Sequence, residues 1–257
     1  MKRELRIFLT ALMFLTRIPV SRWADHQPEY LQASARYFPL AGWIVAAVHF
    51  LVFWIFYFIG VTDVAVLLAI GASLLLTGAF HEDGFADCCD AFGGGWNREQ
   101  ILTIMKDSRL GTFGVAGLVL VLGLKFLLLT HLFTEVDSLW QYVVVLALGH
   151  SLSRFSAVSL IQVSQYVLQP GSKAKPLASE RLGPAAYGLA ALCGAAPLLL
   201  LPLKAALVLL PVAGLVFWSK RYYEKWIGGY TGDCLGALQQ VTELVCYLTI
   251  LVLWRST

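Results

Sequence analysis

Seven long apolar runs divide this chain, and their length limits what it can fold into. About 20 consecutive apolar residues cross the hydrocarbon core of a bilayer as one helix. The runs cover residues 37–59, 64–80, 113–132, 139–163, 186–203, 205–218 and 237–254. They predict an all-α fold, a polytopic membrane helix bundle with about seven transmembrane helices.

The composition supports the same class. Hydrophobic residues make up 58% of the chain and charged residues 14%, with a mean hydropathy of +0.72. Soluble domains are about 45–50% apolar and about 25% charged. The net charge of +3 is small and spread out, so we expect membrane lipid rather than nucleic acid as a partner. The length of 257 residues suits one integral-membrane catalytic domain, residues 1–257, and leaves assembly as a homo-oligomer open.

Residues 1–22 begin with basic side chains and then become apolar. This order resembles a signal peptide, but no cleavage site of small residues follows the apolar part. We therefore predict an N-terminal amphipathic helix near the cytosolic surface.

The basic residues predict the orientation of the spans, because Lys and Arg collect in cytoplasmic connections. With the amino terminus inside, basic residues outside the spans all fall on the cytosolic side except Lys204 and Arg255. The connection that carries Lys173 and Lys175 is one of the cytosolic ones. The polar connections are thus predicted to face the cytosol together, and an active site built from them would do the same.

An acidic segment, residues 81–94, lies between two of the apolar runs. Asp83, Asp87 and Asp90 are spaced i, i+4 and i+7, so a helix would place all three on one face. Adjacent carboxylates repel one another unless a cation lies among them, and Mg²⁺ binds through a few carboxylates plus substrate phosphates. The alternative is a solvated acidic face of a connecting loop. Charged clusters beside a membrane tend to be functional, which favours the metal site.

Residues 105–114 have the composition of a phosphate-binding loop. Arg109 can donate two hydrogen bonds to phosphate oxygens. Gly111 allows close backbone approach at the start of the next helix, whose amino end carries partial positive charge. Asp107 would join the metal ligands or orient Arg109. The alternative is an Asp–Arg pair that only caps the helix.

Several ionisable residues lie within or beside the later spans. Arg154 is a cation inside the membrane, where such residues usually have a partner, and Glu243 is one candidate. The other interpretation is that Arg154 holds a substrate phosphate. Asp233, just before the last span, is either an N-cap or an active-site acid. His81, at the start of the acidic segment, is a candidate for proton transfer.

The segment 81–90, HEDGFADCCD, resembles the His-x-Asp-Gly-x-Ala-Asp-x-x-Asp signature of the cobalamin synthase family, the adenosylcobinamide-GDP ribazoletransferases. Residues 105–114 are similar to the second sequence block of that family. Further matches occur in order along the chain, at residues 14–19, 38–42, 153–154 and 231–233. Ala91 and Leu168 depart from it, because relatives often have Gly and a basic residue there.

The resemblance implies a Mg²⁺-dependent phosphotransferase of the bacterial inner membrane. A ribose hydroxyl of α-ribazole, or of its 5'-phosphate, would attack the cobinamide-bearing phosphorus of adenosylcobinamide-GDP. GMP would leave, and adenosylcobalamin or its 5'-phosphate would form. This is the assembly of the nucleotide loop in cobalamin biosynthesis.

The resemblance also assigns expected roles to residues. The Mg²⁺ ligands would be Asp83, Asp87, Asp90 and Asp107. The substrate would contact Lys106, Arg109, Gly111, Arg154 and Asp233. The hydroxyl proton would pass to Asp87, Asp90 or His81.

Two other functions compete with this one. A CDP-alcohol phosphotransferase acting on lipid would use the same chemistry, but the Ala-Arg that its motif has after Asp-Gly is missing here. A cation transporter would use Asp83, Asp87, Arg154 and Glu243 as its pathway. Transporters commonly contain inverted repeats, and we find no internal repeat in this sequence.

Overall fold

The computed structural model describes residues 3–167 and 181–255, which form helices joined mostly by short connections. The helices are α1 (Arg3–Leu15), α2 (Pro28–Ser34), α3 (Phe38–Tyr57), α4 (Thr62–Thr77), α5 (Phe80–Gly94), α6 (Arg98–Ile104), α7 (Thr112–Glu135), α8 (Leu139–Val163), α9 (Pro184–Ala195), α10 (Leu209–Ile227) and α11 (Gly232–Arg255). Short 3-10 helices cover Ala35–Tyr37, Ala196–Leu200 and Leu203–Val208. The described residues contain no β-strand, so the all-α prediction is confirmed.

Five stretches of the described chain are long and apolar enough to cross a membrane: Pro28–Tyr57, Thr112–Glu135, Leu139–Val163, Leu203–Ile227 and Gly232–Arg255. Counting the bent pair α4 and α5 as one span brings the number to six. The predicted run 186–203 is a shorter apolar segment, Pro184–Leu200. The polytopic membrane helix bundle is confirmed, with five to six helices of full spanning length in the described residues.

A sharp bend separates α4 from α5. Gly78 and Ala79 both have positive φ angles, 68° and 54°, and the two helices meet at 90°. Such angles end a helix because the left-handed region breaks the hydrogen-bond ladder. Arg17 packs beside Gly78, and its backbone N–H donates to the Leu76 carbonyl at 2.7 Å. The acidic segment is therefore a separate helix, and the loop alternative is wrong.

Helix α8 forms the centre of the bundle, because nearly all of it is buried. It packs against α3, α9, α10 and α11, while α5 packs against α7 and α11. One apolar cluster surrounds α8 with side chains such as Phe53 and Tyr142. A second cluster, which includes Cys88 and Tyr223, lies beneath α5 and connects it to α10 and α11.

Helix α1 is the predicted N-terminal amphipathic helix. It buries Ile7, Ala11 and Leu15 while Arg3 and Arg6 are exposed, which is the spacing of one apolar face. Its apolar face belongs to a third cluster with Phe38 and other residues of α3 and α8. The predicted cytosolic residues Lys173 and Lys175, and the departure at Leu168, lie outside the described residues.

Close approach of α3 to α8 at Gly42 generates a stability prediction. A Cβ at this position would lie 2.8 Å from the carbonyl carbon of His150, which is backbone and cannot move aside locally. We expect Gly42→Ala to lower the free energy of unfolding by about 1–3 kcal/mol. Thermal unfolding in detergent, followed by circular dichroism, measures the change.

Gly71→Ala is the matched control, because a Cβ at Gly71 meets nothing within 4 Å. It gains helix propensity, so its stability should stay equal or rise by up to about 1 kcal/mol. Equal melting of the two variants would contradict the close packing of α3 on α8.

Candidate active site

The three aspartates of the acidic segment share one face of α5, as their spacing predicted. The helix is continuous from Phe80 to Gly94. Asp83 is exposed, and Asp87 and Asp90 are half-buried. The described residues donate no hydrogen bond to the carboxylates of Asp83 or Asp87, so both groups are available to a ligand.

Asp233 joins this face from α11. A Cβ on Gly84 would lie 2.9 Å from the Cα of Asp233, so the two helices touch at this point through a glycine. The charges that act on Asp87 are, in decreasing order, those of Asp233, Asp83 and Asp90. Asp87 is therefore the central member of a group of four carboxylates.

Thr231, rather than Asp233, makes the capping contact at the start of α11. The Thr231 hydroxyl accepts a hydrogen bond from the Cys234 N–H at 3.3 Å, the usual N-cap arrangement. It also lies 3.4 Å from Oδ2 of Asp233, to which it donates. Asp233 is therefore not the N-cap of α11, and its role as an active-site acid stays a prediction.

Among the described residues, no three His, Cys, Asp or Glu side chains are arranged to hold a metal ion. The acidic face is thus not a preassembled cage. Mg²⁺ usually keeps several waters and binds through one or two carboxylates plus substrate phosphates. The carboxylates of Asp83, Asp87 and Asp233, with no cationic partner nearby in the described chain, have the donor chemistry for that mode.

Asp90 is engaged at the start of α7. Its two oxygens accept the backbone N–H groups of Gly111 at 2.7 Å and Gly114 at 2.8 Å. A carboxylate at a helix amino terminus is stabilised by the partial positive charge there. The Gly111 amide, which we expected to bind substrate phosphate, therefore donates to a carboxylate of the protein itself.

The loop before α7 exposes its cationic side chains. Arg109 is 88% exposed and donates to Asp107 through Nε at 3.0 Å and Nη2 at 2.6 Å. These hydrogen bonds from Arg109 lower the pKa of Asp107 to about 2. Asp107 and Arg109 are therefore paired, and the roles of Asp107 in orienting Arg109 or binding Mg²⁺ stay predictions. Lys106 is also exposed.

His81 and Arg154 lie together, away from the aspartate face. At about 100° per residue, His81 is roughly 160° around α5 from Asp83. Both side chains are buried and line a cavity of about 40 Å³ with Phe14, Phe38 and Gln239 among its other walls. Such a volume holds water but not a phosphate group. Their expected roles in proton transfer and phosphate binding stay predictions.

The expected partner of Arg154 is different in the structure. Its Nη1 donates to the backbone carbonyl of His150 at 2.8 Å, and its Nε has no hydrogen-bond partner in the described chain. Glu243 instead pairs with Lys125, with 3.3 Å between Oε1 and Nζ. Lys125 lies within an apolar run, and a lysine at such a position is itself evidence of a buried partner.

Glu82 is a further residue that the motif concealed. Glu82 is next to the exposed Asp83 in sequence but is itself buried. Its Oε1 lies 3.9 Å from Lys125 Nζ. Sequence periodicity does contain this information, since Glu82 falls off the face shared by Asp83, Asp87 and Asp90.

Fold and site together define a class: a multi-pass membrane helix bundle with an acidic face on α5 and α11 and an exposed arginine beside it. The chain belongs to the cobalamin-5-phosphate synthase family, whose model matches residues 7–251.

Full-length relatives agree with this assignment. The adenosylcobinamide-GDP ribazoletransferase of Leptospira interrogans is 42% identical over 264 residues, covering 100% of this chain and 98% of the relative. That of Shewanella amazonensis is 46% identical over 261 residues, with the same coverage of both chains. That of Leptothrix cholodnii is 45% identical over 251 residues, covering 95% of this chain and 94% of the relative. No protein of solved structure matches the chain.

The two hydrogen bonds of Asp90 generate a prediction about stability. Asp90→Ala removes both acceptors from the start of α7, and losing such a cap costs about 1–2 kcal/mol. We expect a lower melting temperature and faster hydrogen exchange at the amides of Gly111 and Gly114. Asp83→Ala is the control, since it deletes an exposed carboxylate of the same helix, and it should lower neither the melting temperature nor the protection of the two amides. Equal protection in the two variants would refute the cap.

Proposed function

We propose that this chain transfers the adenosylcobinamide phosphoryl group from adenosylcobinamide-GDP to α-ribazole or its 5'-phosphate. The oxygen of a ribose hydroxyl forms a bond to the cobinamide-bearing phosphorus, the bond to GMP breaks, and GMP leaves. The observation that carries the proposal is the unpaired acidic face of α5 and α11, in a chain that matches ribazoletransferases over its full length.

The proposal includes Mg²⁺ at the acidic face, held by Asp83 and Asp233 with Asp87 beside them. Bound there, Mg²⁺ would supply positive charge that offsets the negative charge developing on the phosphates during transfer. Two observations support this placement. The described residues supply no cation that neutralises these carboxylates, and Gly84 lets α11 come close enough to add Asp233 to the face.

Asp87 is the best candidate for the base that accepts the hydroxyl proton. Asp90 already accepts two backbone N–H groups, and His81 lies on the opposite side of α5. Asp87 is central among the carboxylates and has both oxygens free of hydrogen bonds from the described chain. A base must be within hydrogen-bond reach of the proton it removes, and a substrate bound at this face satisfies that condition at Asp87.

Arg109 would bind the diphosphate, assisted by Lys106. An exposed ion pair such as Arg109 with Asp107 contributes little stability, so exchanging Asp107 for a substrate phosphate costs little. The planar guanidinium then forms two charge-assisted hydrogen bonds to phosphate oxygens. In this arrangement Asp107 holds Arg109 in place before substrate arrives.

We place the active site on the cytosolic side of the bacterial inner membrane. The loop with Lys106 and Arg109 and the start of α11 lie at the same end of the bundle as α5, and the basic residues concentrate in these connections. Apolar side chains exposed along α7, such as Val119 and Leu120, would contact lipid.

No observation favours the competing functions. Two of the four residues that a cation pathway would use are engaged inside the protein, Glu243 with Lys125 and Arg154 with the His150 carbonyl. Lipid alcohol transfer is tested directly by offering a diacylglycerol acceptor in the assay below.

The first functional prediction separates the base from the metal ligand. Purified protein in liposomes, given adenosylcobinamide-GDP and α-ribazole 5'-phosphate, should release GMP only with Mg²⁺. Asp87→Asn should lower kcat by about 100-fold or more at every Mg²⁺ concentration, as expected for a group acting in the transition state. Asp83→Asn should raise the Mg²⁺ concentration that gives half-maximal rate. Measuring GMP and the corrinoid product by chromatography checks both.

Asp63→Asn is the control for these variants, because it removes an exposed carboxylate at the far end of α4. Its kinetics should equal those of the wild type. Full activity of Asp87→Asn would remove Asp87 from the mechanism. Turnover without Mg²⁺ or any other divalent ion would overturn the metal site, and no GMP from folded protein would overturn the transfer itself.

The second functional prediction concerns Arg109. Arg109→Lys keeps the charge but cannot form the bidentate hydrogen bonds of a guanidinium. The KM for adenosylcobinamide-GDP should therefore rise about 10-fold, which corresponds to roughly one lost charge-assisted hydrogen bond. The KM for the ribazole substrate should not change. Steady-state kinetics with each substrate varied in turn measures both, and Arg98→Lys, on the preceding helix, is the control. An unchanged KM for adenosylcobinamide-GDP would exclude Arg109 as its phosphate ligand.

A further inference from the structure

A buried lysine connects three helices beneath the acidic face. Lys125, midway along α7, is 5% exposed. Its Nζ donates to Gln240 Oε1 at 3.0 Å and lies 3.3 Å from Glu243 Oε1 and 3.9 Å from Glu82 Oε1. Gln240 and Glu243 belong to α11 and Glu82 to α5, so one side chain contacts both helices that carry the aspartates.

The contacts around Lys125 close into a network. Gln240 Nε2 donates to Glu82 Oε1 at 2.8 Å and to Gln239 Oε1 at 2.8 Å. Gln239 Nε2 then donates to Glu243 Oε2 at 2.8 Å. We refer to these five residues, Glu82, Lys125, Gln239, Gln240 and Glu243, as the interhelix polar cluster. All five are buried.

Stability of the fold does not by itself explain such a cluster. Burying paired charges rarely stabilises a protein more than apolar side chains of similar volume would. Ionisable residues within a membrane bundle are rare and usually have a function. The cluster instead defines an orientation, because the contacts of Glu82 Oε1 with Gln240 and Lys125 form at one rotation of α5 relative to α11 and α7. Apolar packing tolerates small shifts that these bonds do not.

The position of the cluster shows what it controls. Glu82 is the residue directly before Asp83, so fixing Glu82 fixes the start of the aspartate face. Gln239 and Gln240 lie about two helical turns after Asp233 on α11. The cluster therefore sets the register between the two helices whose carboxylates compose the active site, without contacting those carboxylates.

We propose that Lys125 is a positioning residue for the transfer reaction, which holds α5 and α11 in the register that brings Asp83, Asp87 and Asp233 together. This inference rests on the proposed function for its kinetic readout, and on metal binding for a readout that needs no turnover. Misplacement of catalytic groups by about 1 Å can cost about 100-fold in rate.

Lys125→Met tests the proposal, since methionine fills similar space without the charge or donors. We expect kcat to fall at least about 10-fold and the Mg²⁺ requirement to rise, because outer groups of this kind change affinity or activity by about 10–100-fold. The KM for adenosylcobinamide-GDP should stay the same, because Arg109 lies on the exposed loop. Lys125→Arg, which can donate to the same acceptors, should recover part of the rate.

Mn²⁺ binding provides the second readout. Electron paramagnetic resonance of purified protein titrated with Mn²⁺ measures occupancy of the acidic face in the absence of substrate. The dissociation constant should rise about 10-fold in Lys125→Met. If wild-type protein binds Mn²⁺ but releases no GMP, the proposed function fails, and this titration still decides the role of Lys125.

The control is a second ion pair between α7 and α11, located at the other end of the bundle. Arg255 Nε of α11 donates to Glu135 Oε1 of α7 at 2.8 Å. Arg255→Gln should change neither kcat nor Mn²⁺ binding. If Lys125→Met does not fold, the double variant Lys125→Met/Glu243→Gln removes one charge of each sign and is measured instead. A folded variant lacking Lys125, with wild-type kcat and Mn²⁺ affinity, would overturn the proposal.

Discussion

The close contact between α5 and α11 is the interaction on which the rest of the site depends. Each helix contributes a glycine to it: Gly84 lies against Asp233, and Gly236 lies against the backbone of His81. Side chains at these positions would force the helices apart, because their Cβ atoms would meet backbone. The short distance makes one acidic face from two helices that are more than 130 residues apart in the chain.

Helix α5 is held against α11 by polar groups as well as by apolar packing. At its start, the bend at Gly78 and Ala79 turns the chain away from α4. In its first turn, Glu82 enters the interhelix polar cluster, and nearer its end Asp90 accepts two amides from the start of α7. Directional contacts of this kind fix the rotation of α5 about its axis. In that orientation Asp83 and Asp87 face outward and are available to substrate.

Much of this organisation could be predicted from particular residues. The apolar runs predicted the membrane bundle, and the i, i+4, i+7 spacing predicted the aspartate face. The pairing of Arg154 with Glu243 was wrong, because Lys125 on α7 lies 3.3 Å from Glu243 and pairs with it instead. The amide of Gly111 was assigned to substrate, because nothing in the sequence shows that Asp90, 21 residues earlier, reaches it. The partners of Arg154 and Gly111 within the protein are both brought together by packing, and contact of Gly111 with substrate stays a prediction.

The sequence by itself determined the class of this protein and the chemistry of its side chains, because helix periodicity and bilayer thickness act locally along the chain. It also determined the family, through the order of several motifs. Only the tertiary structure decided which carboxylates share the site, which one caps α7 and which charges are paired beneath them. Those outcomes depend on distances between helices, which are set by glycine contacts, by the 90° bend and by competition among buried partners.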